Sequence, residues 1–267
     1  MGRVETQVEL GDGLAGLRSL APGSVGLVLS DLPSGETRAE FDRAPPLPEF
    51  WSSVWGALRP DGIAVLMASR IQFAAALIAS QPNAFLYDLI WHKSIAGGFL
   101  NARHRPLRAH EFVLVFSRER GIYNPQMRQG LEPVHANAVR PSSGENYGPS
   151  GGDGAGRART GATDRHPWSV LPFASIGTTD KARRHPQQKP EPLMAWCVRS
   201  YSRPGDLVVD PYAGSGSAGR AAVAEGRRFR GWDSDPRFGG QATHALDCDM
   251  DNDCRCATEL RRATAAE

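Results

Sequence analysis

A chain of 267 residues with 40% hydrophobic content can bury a full α/β core and is too apolar to be mainly disordered. Its formal net charge of +2 excludes a uniformly basic nucleic-acid coat, and no apolar run is long enough to span a bilayer. Four cysteines (Cys197, Cys248, Cys254 and Cys256) form no disulfide framework, and without an apolar leader a reducing, cytoplasmic setting is expected.

Gln7–Leu10 reads as a strand, turned by Gly11-Asp12-Gly13 into a short helix over Leu14–Leu20. Val25–Ser30 is a compact apolar run, the pattern of a strand buried on both faces of a parallel sheet. It stops at Asp31-Leu32-Pro33-Ser34. Leu47, Phe50, Trp51, Val54 and Leu58 recur at helical spacing, and Arg59-Pro60-Asp61-Gly62 is expected to end that helix. A strand at Ile63–Ala68 and a helix at Ile71–Ser80 follow. Leu86–Lys93 and Glu111–Ser117 read as strands flanking a polar, basic loop. Residues 119–184 are rich in Gly, Pro, Ser and Arg and read as a long insertion in an otherwise single domain. From Arg118 to Arg184 the chain carries 10 Lys/Arg against 6 Asp/Glu, so its positive charge is gathered there, which suits a polyanion partner. Order resumes with a helix from Pro192, a strand at Leu207–Val209, a glycine-rich turn, a helix to about Glu225, and a strand at Arg228–Trp232 ending on Asp233. Strands alternating with helices predict a doubly wound, mostly parallel α/β sheet. Ligands in such sheets sit at the carboxyl ends of strands, where Asp31, Asp210 and Asp233 fall.

Gly214, Gly216 and Gly219 form G-x-G-x-x-G, with Asp233 19 residues after the first glycine. That is also a dinucleotide fingerprint. A carboxylate at Asp210, four residues before Gly214, opposes a pyrophosphate but suits a ligand with an ammonium and a sulfonium. S-adenosylmethionine is therefore favoured over a nicotinamide cofactor. Asp233 would accept from ribose hydroxyls in either case.

His185-Pro186-Gln187-Gln188-Lys189-Pro190, then a helix, then Arg203-Pro204-Gly205-Asp206 and Asp210-Pro211-Tyr212-Ala213-Gly214-Ser215-Gly216 closely resemble the β-class DNA amino-methyltransferases. In that family the catalytic half precedes the cofactor half, a circular permutation of the Rossmann-like order, and the order here agrees. The resemblance covers roughly Gln7–Arg118 and His185–Phe238. It implies cofactor contacts from Asp12, Lys189, Asp210, Pro211, Tyr212, Gly214, Gly216 and Asp233. It implies a catalytic tetrad at Asp31-Leu32-Pro33-Ser34. There Asp31 accepts one N–H of the target amino group and a main-chain carbonyl near Pro33 accepts the other, aiming the nitrogen lone pair at the methyl group. Transfer is then direct, by positioning and electrostatics, on a base flipped out of its duplex. Double-stranded DNA is the implied partner. A homodimer and a cognate restriction enzyme are left open, and a prokaryotic or phage source is implied.

The tetrad departs from the family pattern. Leu32 replaces a proline, and Ser34 replaces the aromatic that stacks on the flipped base. Either another ring (Trp91, Phe99 or Tyr212) stands in, or the protein is a weakened module that still binds DNA. Asp at the first position favours adenine N6, with cytosine N4 the alternative. A cytosine C5 enzyme would need a Pro-Cys nucleophile, and none of the cysteines follows a proline. Trp91 and Lys93 match a Trp-x-Lys segment near the family's base pocket. Arg103, Arg105 and Arg108 are candidate phosphate contacts, and the insertion, with Arg157, Arg159, Arg165, Arg183 and Arg184, is the candidate target-recognition region. The tail aspartates Asp249, Asp251 and Asp253 imitate a calcium loop, but no glycine stands at position six and Leu260 stands at position twelve, so no metal site is expected.

Overall fold

The computed structural model describes residues 5–35, 37, 42–132, 161–177 and 188–236. The elements in chain order are β1 (Thr6–Leu10), α1 (Gly13–Ser19), β2 (Val25–Asp31), α2 (Leu47–Ala57), β3 (Leu58–Ala68), α3 (Ile71–Ser80), β4 (Phe85–Gly97), β5 (Arg108–Phe116), β6 (Val170–Leu171), α4 (Glu191–Tyr201), β7 (Leu207–Asp210), α5 (Ser217–Ala224) and β8 (Arg228–Asp233). A single 3-10 turn, Phe99–Asn101, lies between β4 and β5. The strands form one sheet in the order β1-β8-β7-β2-β3-β5-β4-β6. From β1 to β3 every neighbour is parallel. β5 runs antiparallel to β3 and β4, and β6 is parallel to β4.

The unbroken apolar runs follow from burial on both faces. Ile63, Val65 and Met67 of β3 pack with Leu193, Val198 and Ala221 of α4 and α5. The alternate residues Ala64 and Leu66 pack with Leu17, Phe50, Trp51 and Leu77 of α1, α2 and α3 on the other side. This alternation is that of a doubly wound sheet. Cys197 lies at 0% exposure in the first of these layers. Burial pushes its thiol up to about 12, which leaves it inert as a nucleophile.

Two stretches differ from the sequence reading. Arg59-Pro60-Asp61-Gly62 do not end α2 as a turn; they belong to β3, which begins at Leu58. Leu58 pairs with Val25, and the Arg59 guanidinium donates to both oxygens of Asp206 at 2.7 and 2.9 Å, anchoring the segment beside β7. Secondly, β6 lies inside the stretch read as an insertion and pairs with Ile90–Trp91. The described residues between Pro125 and Pro167 belong to a unit of their own, in which Arg128 and Arg165 form an isolated antiparallel bridge. The tail with its aspartates and three cysteines lies outside the described residues, as do Arg157, Arg159, Arg183, Arg184 and His185–Gln187. Among the described residues no helix is long and apolar enough to cross a membrane.

Candidate active site

β7 and β2 are parallel neighbours, with Val209 opposite Val28. From β2 the chain continues to β3 on one side, and from β7 to β8 on the other. This is a topological switch point, where a crevice opens at the strand ends. Asp31, Asp210 and Asp233 end β2, β7 and β8, and all three line one cavity together with Tyr212 and Gly214.

The glycine turn is shaped by backbone conformation. Gly214 has φ +50° and Gly216, the N-cap of α5, has φ +75°, a region that other residues enter at a cost. Its carboxylates are answered mainly by main chain. Asp210 Oδ1 accepts from Ser30 Oγ at 2.6 Å and from the Tyr212 N–H at 3.0 Å. Asp233 accepts from the N–H groups of Gly214 and Asp235, each at 2.8 Å. Burial nevertheless dominates, and the Asp210 carboxyl is raised to about 7. Burial lifts Asp233 as well. Among the described residues the lining includes four carboxylates, Asp42 being the fourth, against one ammonium, Lys189. Such a cavity repels pyrophosphate and fits a cationic ligand. The residues present therefore fit S-adenosylmethionine.

A second pocket, of ≈ 540 Å³, opens on the other side of Asp31. Its charged wall is a chain of alternating sign. Lys189, 7% exposed, donates to Asp31 Oδ2 and lies 3.4 Å from Glu111 Oε2. Glu111 in turn pairs with Lys93. The hairpin register explains that last pair: Trp91 of β4 lies opposite Glu111 of β5, so Lys93, two residues on, shares their face. Burial works against ionising Glu111, but the ammoniums of Lys189 and Lys93 outweigh it and hold the carboxyl low. At Lys189 the two carboxylates outweigh burial and keep the ammonium charged. At Asp31 burial prevails over Lys189, and the carboxyl is raised. Asp31 and Lys189 line both cavities.

The tetrad loop is fastened by Asp42. Its carboxylate accepts from the N–H groups of Ser34, Gly35 and Thr37 at 2.7, 2.9 and 2.7 Å. Pro33 faces the cofactor-side cavity, and Ser34 faces the pocket beyond.

Of the residues expected at a cofactor, Asp210, Tyr212, Gly214, Asp233 and Lys189 line the first cavity. Asp12 caps α1, accepting from the Leu14 N–H at 3.0 Å. Asp12, Pro211 and Gly216 are not among the residues that line it. Of those expected at DNA, Trp91 is buried and Lys93 is bound to Glu111. Arg108 donates to the Ser69 carbonyl. Arg103 and Arg105 are exposed. Glu111, Asp42 and Ser30 are the residues the sequence reading missed. Each acts through a partner distant in sequence, apart from Asp42, whose loop carries no recognisable turn pattern.

A family model for DNA methylases matches residues 39–243. The DNA adenine methyltransferase YhdJ of Escherichia coli (strain K12) is 48% identical over 52 residues, covering 20% of this chain and 18% of that relative. The match thus spans less than a fifth of that curated relative's length. Two solved structures superimpose over most of the chain. The M1.HpyAVI–SAM complex does so with TM-score 0.59 and 19% identity, over 90% of this chain and 98% of its own. The PvuII DNA methyltransferase, described as cytosine-N4-specific, gives TM-score 0.66 and 18% identity over 96% and 91%. At these identities the likeness speaks to the fold.

Proposed function

The chain belongs to the N6/N4 family of DNA methylases, and from that premise we propose that it methylates the exocyclic amino group of a flipped DNA base, adenine N6 foremost. The observation that carries the proposal is the position of Asp31, which lines both the cofactor-side cavity and the larger pocket. A group held by Asp31 would therefore face both ligands at once.

S-adenosylmethionine, when bound, supplies an electrophilic methyl group on a sulfonium. Asp210 and Asp233 would hold its positive and hydroxylated ends, and the Gly214 turn would admit its backbone-close contacts. The work of this chain lies at the amino nitrogen. That nitrogen is a weak nucleophile, because its lone pair is delocalised into the base. Asp31 would accept one N–H through its carboxylate, drawing the nitrogen toward tetrahedral geometry and its lone pair out of conjugation with the ring. Lys189 aims that carboxylate, and Glu111 with Lys93 fixes Lys189. Such pre-set charges need no reorganisation during reaction. As the N–C bond forms, the methyl–sulfur bond would break with its electron pair left on sulfur; the amino group must then lose one proton, and the carboxylate of Asp31, its affinity for protons raised by burial, is placed to accept it at Oδ. Cys197, buried in the sheet's core, has no part in it.

Residues 119–184 are proposed to read the sequence around the target. Cytosine N4 offers the same amino chemistry, and the N4-specific PvuII neighbour supports it as the second reading. Modification-sensitive sequencing of DNA from cells expressing the chain tests the proposal. N6-methyladenine at a defined site is the expected outcome, N4-methylcytosine would install the second reading, and unmodified DNA would refute both.

A further inference from the structure

We infer that Phe99, at the tip of the β4–β5 hairpin, is the stacking platform for the flipped base; the inference rests on the amino-methyltransferase reading above. A base has a polar edge in its plane and an apolar face, so a pocket that takes one needs both a charged wall and an available ring. The charged wall is Asp31, Lys189 and Glu111. The ring is the question, because the tetrad loop presents Ser34 to this pocket.

Among the described residues, two aromatic rings line the pocket, Trp91 and Phe99. Trp91 is committed to the wall. It is 4% exposed, its indole N–H donates to the Phe173 carbonyl at 2.8 Å, and the Lys93 ammonium lies 5.2 Å from its ring centroid. Tyr212 lines the other cavity. Phe99 is the opposite case: it stands at the pocket's rim, 74% exposed. Gly98, with φ +86°, turns the chain out of β4 into the 3-10 turn that carries the ring. Water-exposed phenyl surface gains by burial against a partner. Arg103 and Arg105, exposed in the same loop, suit a polyanionic partner. Duplex DNA bearing a flipped base supplies both the anion and the flat apolar face.

The test uses the full chain and a duplex carrying the site mapped by sequencing, with S-adenosylhomocysteine present so that no transfer occurs. A second duplex lacks the base at the target nucleotide. Phe99→Ala should weaken binding of the intact duplex about tenfold and leave binding of the abasic duplex unchanged. Phe99→Tyr should keep wild-type affinity, and Phe99→Leu should behave as the alanine variant. Cofactor binding should be the same in all of them, since Phe99 does not line that cavity. Equal losses on both duplexes would make Phe99 a groove contact and overturn the inference. So would an unaffected Phe99→Ala or a fully competent Phe99→Leu. A wild-type chain that methylates no DNA would overturn the parent reading and this inference with it, whereas an active wild type with an indifferent Phe99 would overturn this inference alone.

Discussion

The two sides of Asp31 are built by different means. On the cofactor side, short parallel strands end in carboxylates, and those of Asp210 and Asp233 are held largely by N–H groups of their own turn. On the base side, a long antiparallel hairpin supports side chains that hold one another, Lys189 reaching Asp31 across 158 residues of sequence. A carboxylate gripped by backbone keeps its place when its neighbours change. A chain of paired side chains stands or falls together. The cofactor side should therefore tolerate conservative substitution, and the base side should not.

Asp31→Asn is the largest test of that contrast. Transfer should fall by about 10²–10³-fold, the scale of losing one pre-aimed electrostatic contact, while calorimetry shows cofactor binding retained. Loss of both together would mean that the two sides are not separable. Lys189→Met comes next. It leaves Asp31 and Glu111 facing each other without their shared cation, and breaking a buried pair costs about 3–5 kcal/mol. Urea unfolding should register that loss. In the remaining folded enzyme both carboxyls rise, so the acid limb of the pH–rate profile should move to higher pH. An unchanged profile would break the assignment of Lys189 to Asp31.

Asp210→Asn should be milder, since an amide oxygen can still accept from Ser30 and the Tyr212 N–H. Its effect is read best against pH. The folded carboxyl titrates at about 7 against an ordinary 3.8, so the folded state holds a proton that the unfolded state has lost. Stability of the ligand-free protein should accordingly fall as pH rises from about 4 to 7 and level off above. A cationic cofactor favours the ionised form, so its affinity should rise with pH up to about 7. Asp210→Asn should flatten both trends, and calorimetry in buffers of different ionisation enthalpy would show the released proton disappear. The smallest effect belongs to Arg103→Ala and Arg105→Ala. Each should lower the salt slope of DNA binding by about 1 and leave transfer at saturating DNA unchanged. Arg108→Ala, whose guanidinium serves Ser69, should instead leave the slope alone.

The same contrast explains what could be read from the chain before its structure. Apolar runs at Val25–Ser30 and Ile63–Ala68 mark strands, and α3 falls at Ile71–Ser80, where a helix is expected. The glycine turn was legible because its parts are consecutive: strand, acid, glycines, helix. Glu111 was not, because its meaning comes from Lys93 across a hairpin and Lys189 from another region of the chain. Lys189, by sequence a cofactor residue, is joined to Asp31 by the fold, a link that no spacing encodes. β6 has two residues and no period to detect. Arg59–Gly62 read as a turn because Pro and Gly punctuate it, yet its pairing beside Val25 and its grip on Asp206 draw it into the sheet.

The most direct measurement follows the methyl group. The protein is incubated with methyl-labelled S-adenosylmethionine and unmethylated duplex DNA, and the DNA is hydrolysed to nucleosides. Label on N6-methyldeoxyadenosine, lowered about 10²–10³-fold with Asp31→Asn, is the predicted result. Label on 5-methyldeoxycytidine, or equal label from the Asp31→Asn protein, would contradict an amino-group transfer centred on Asp31.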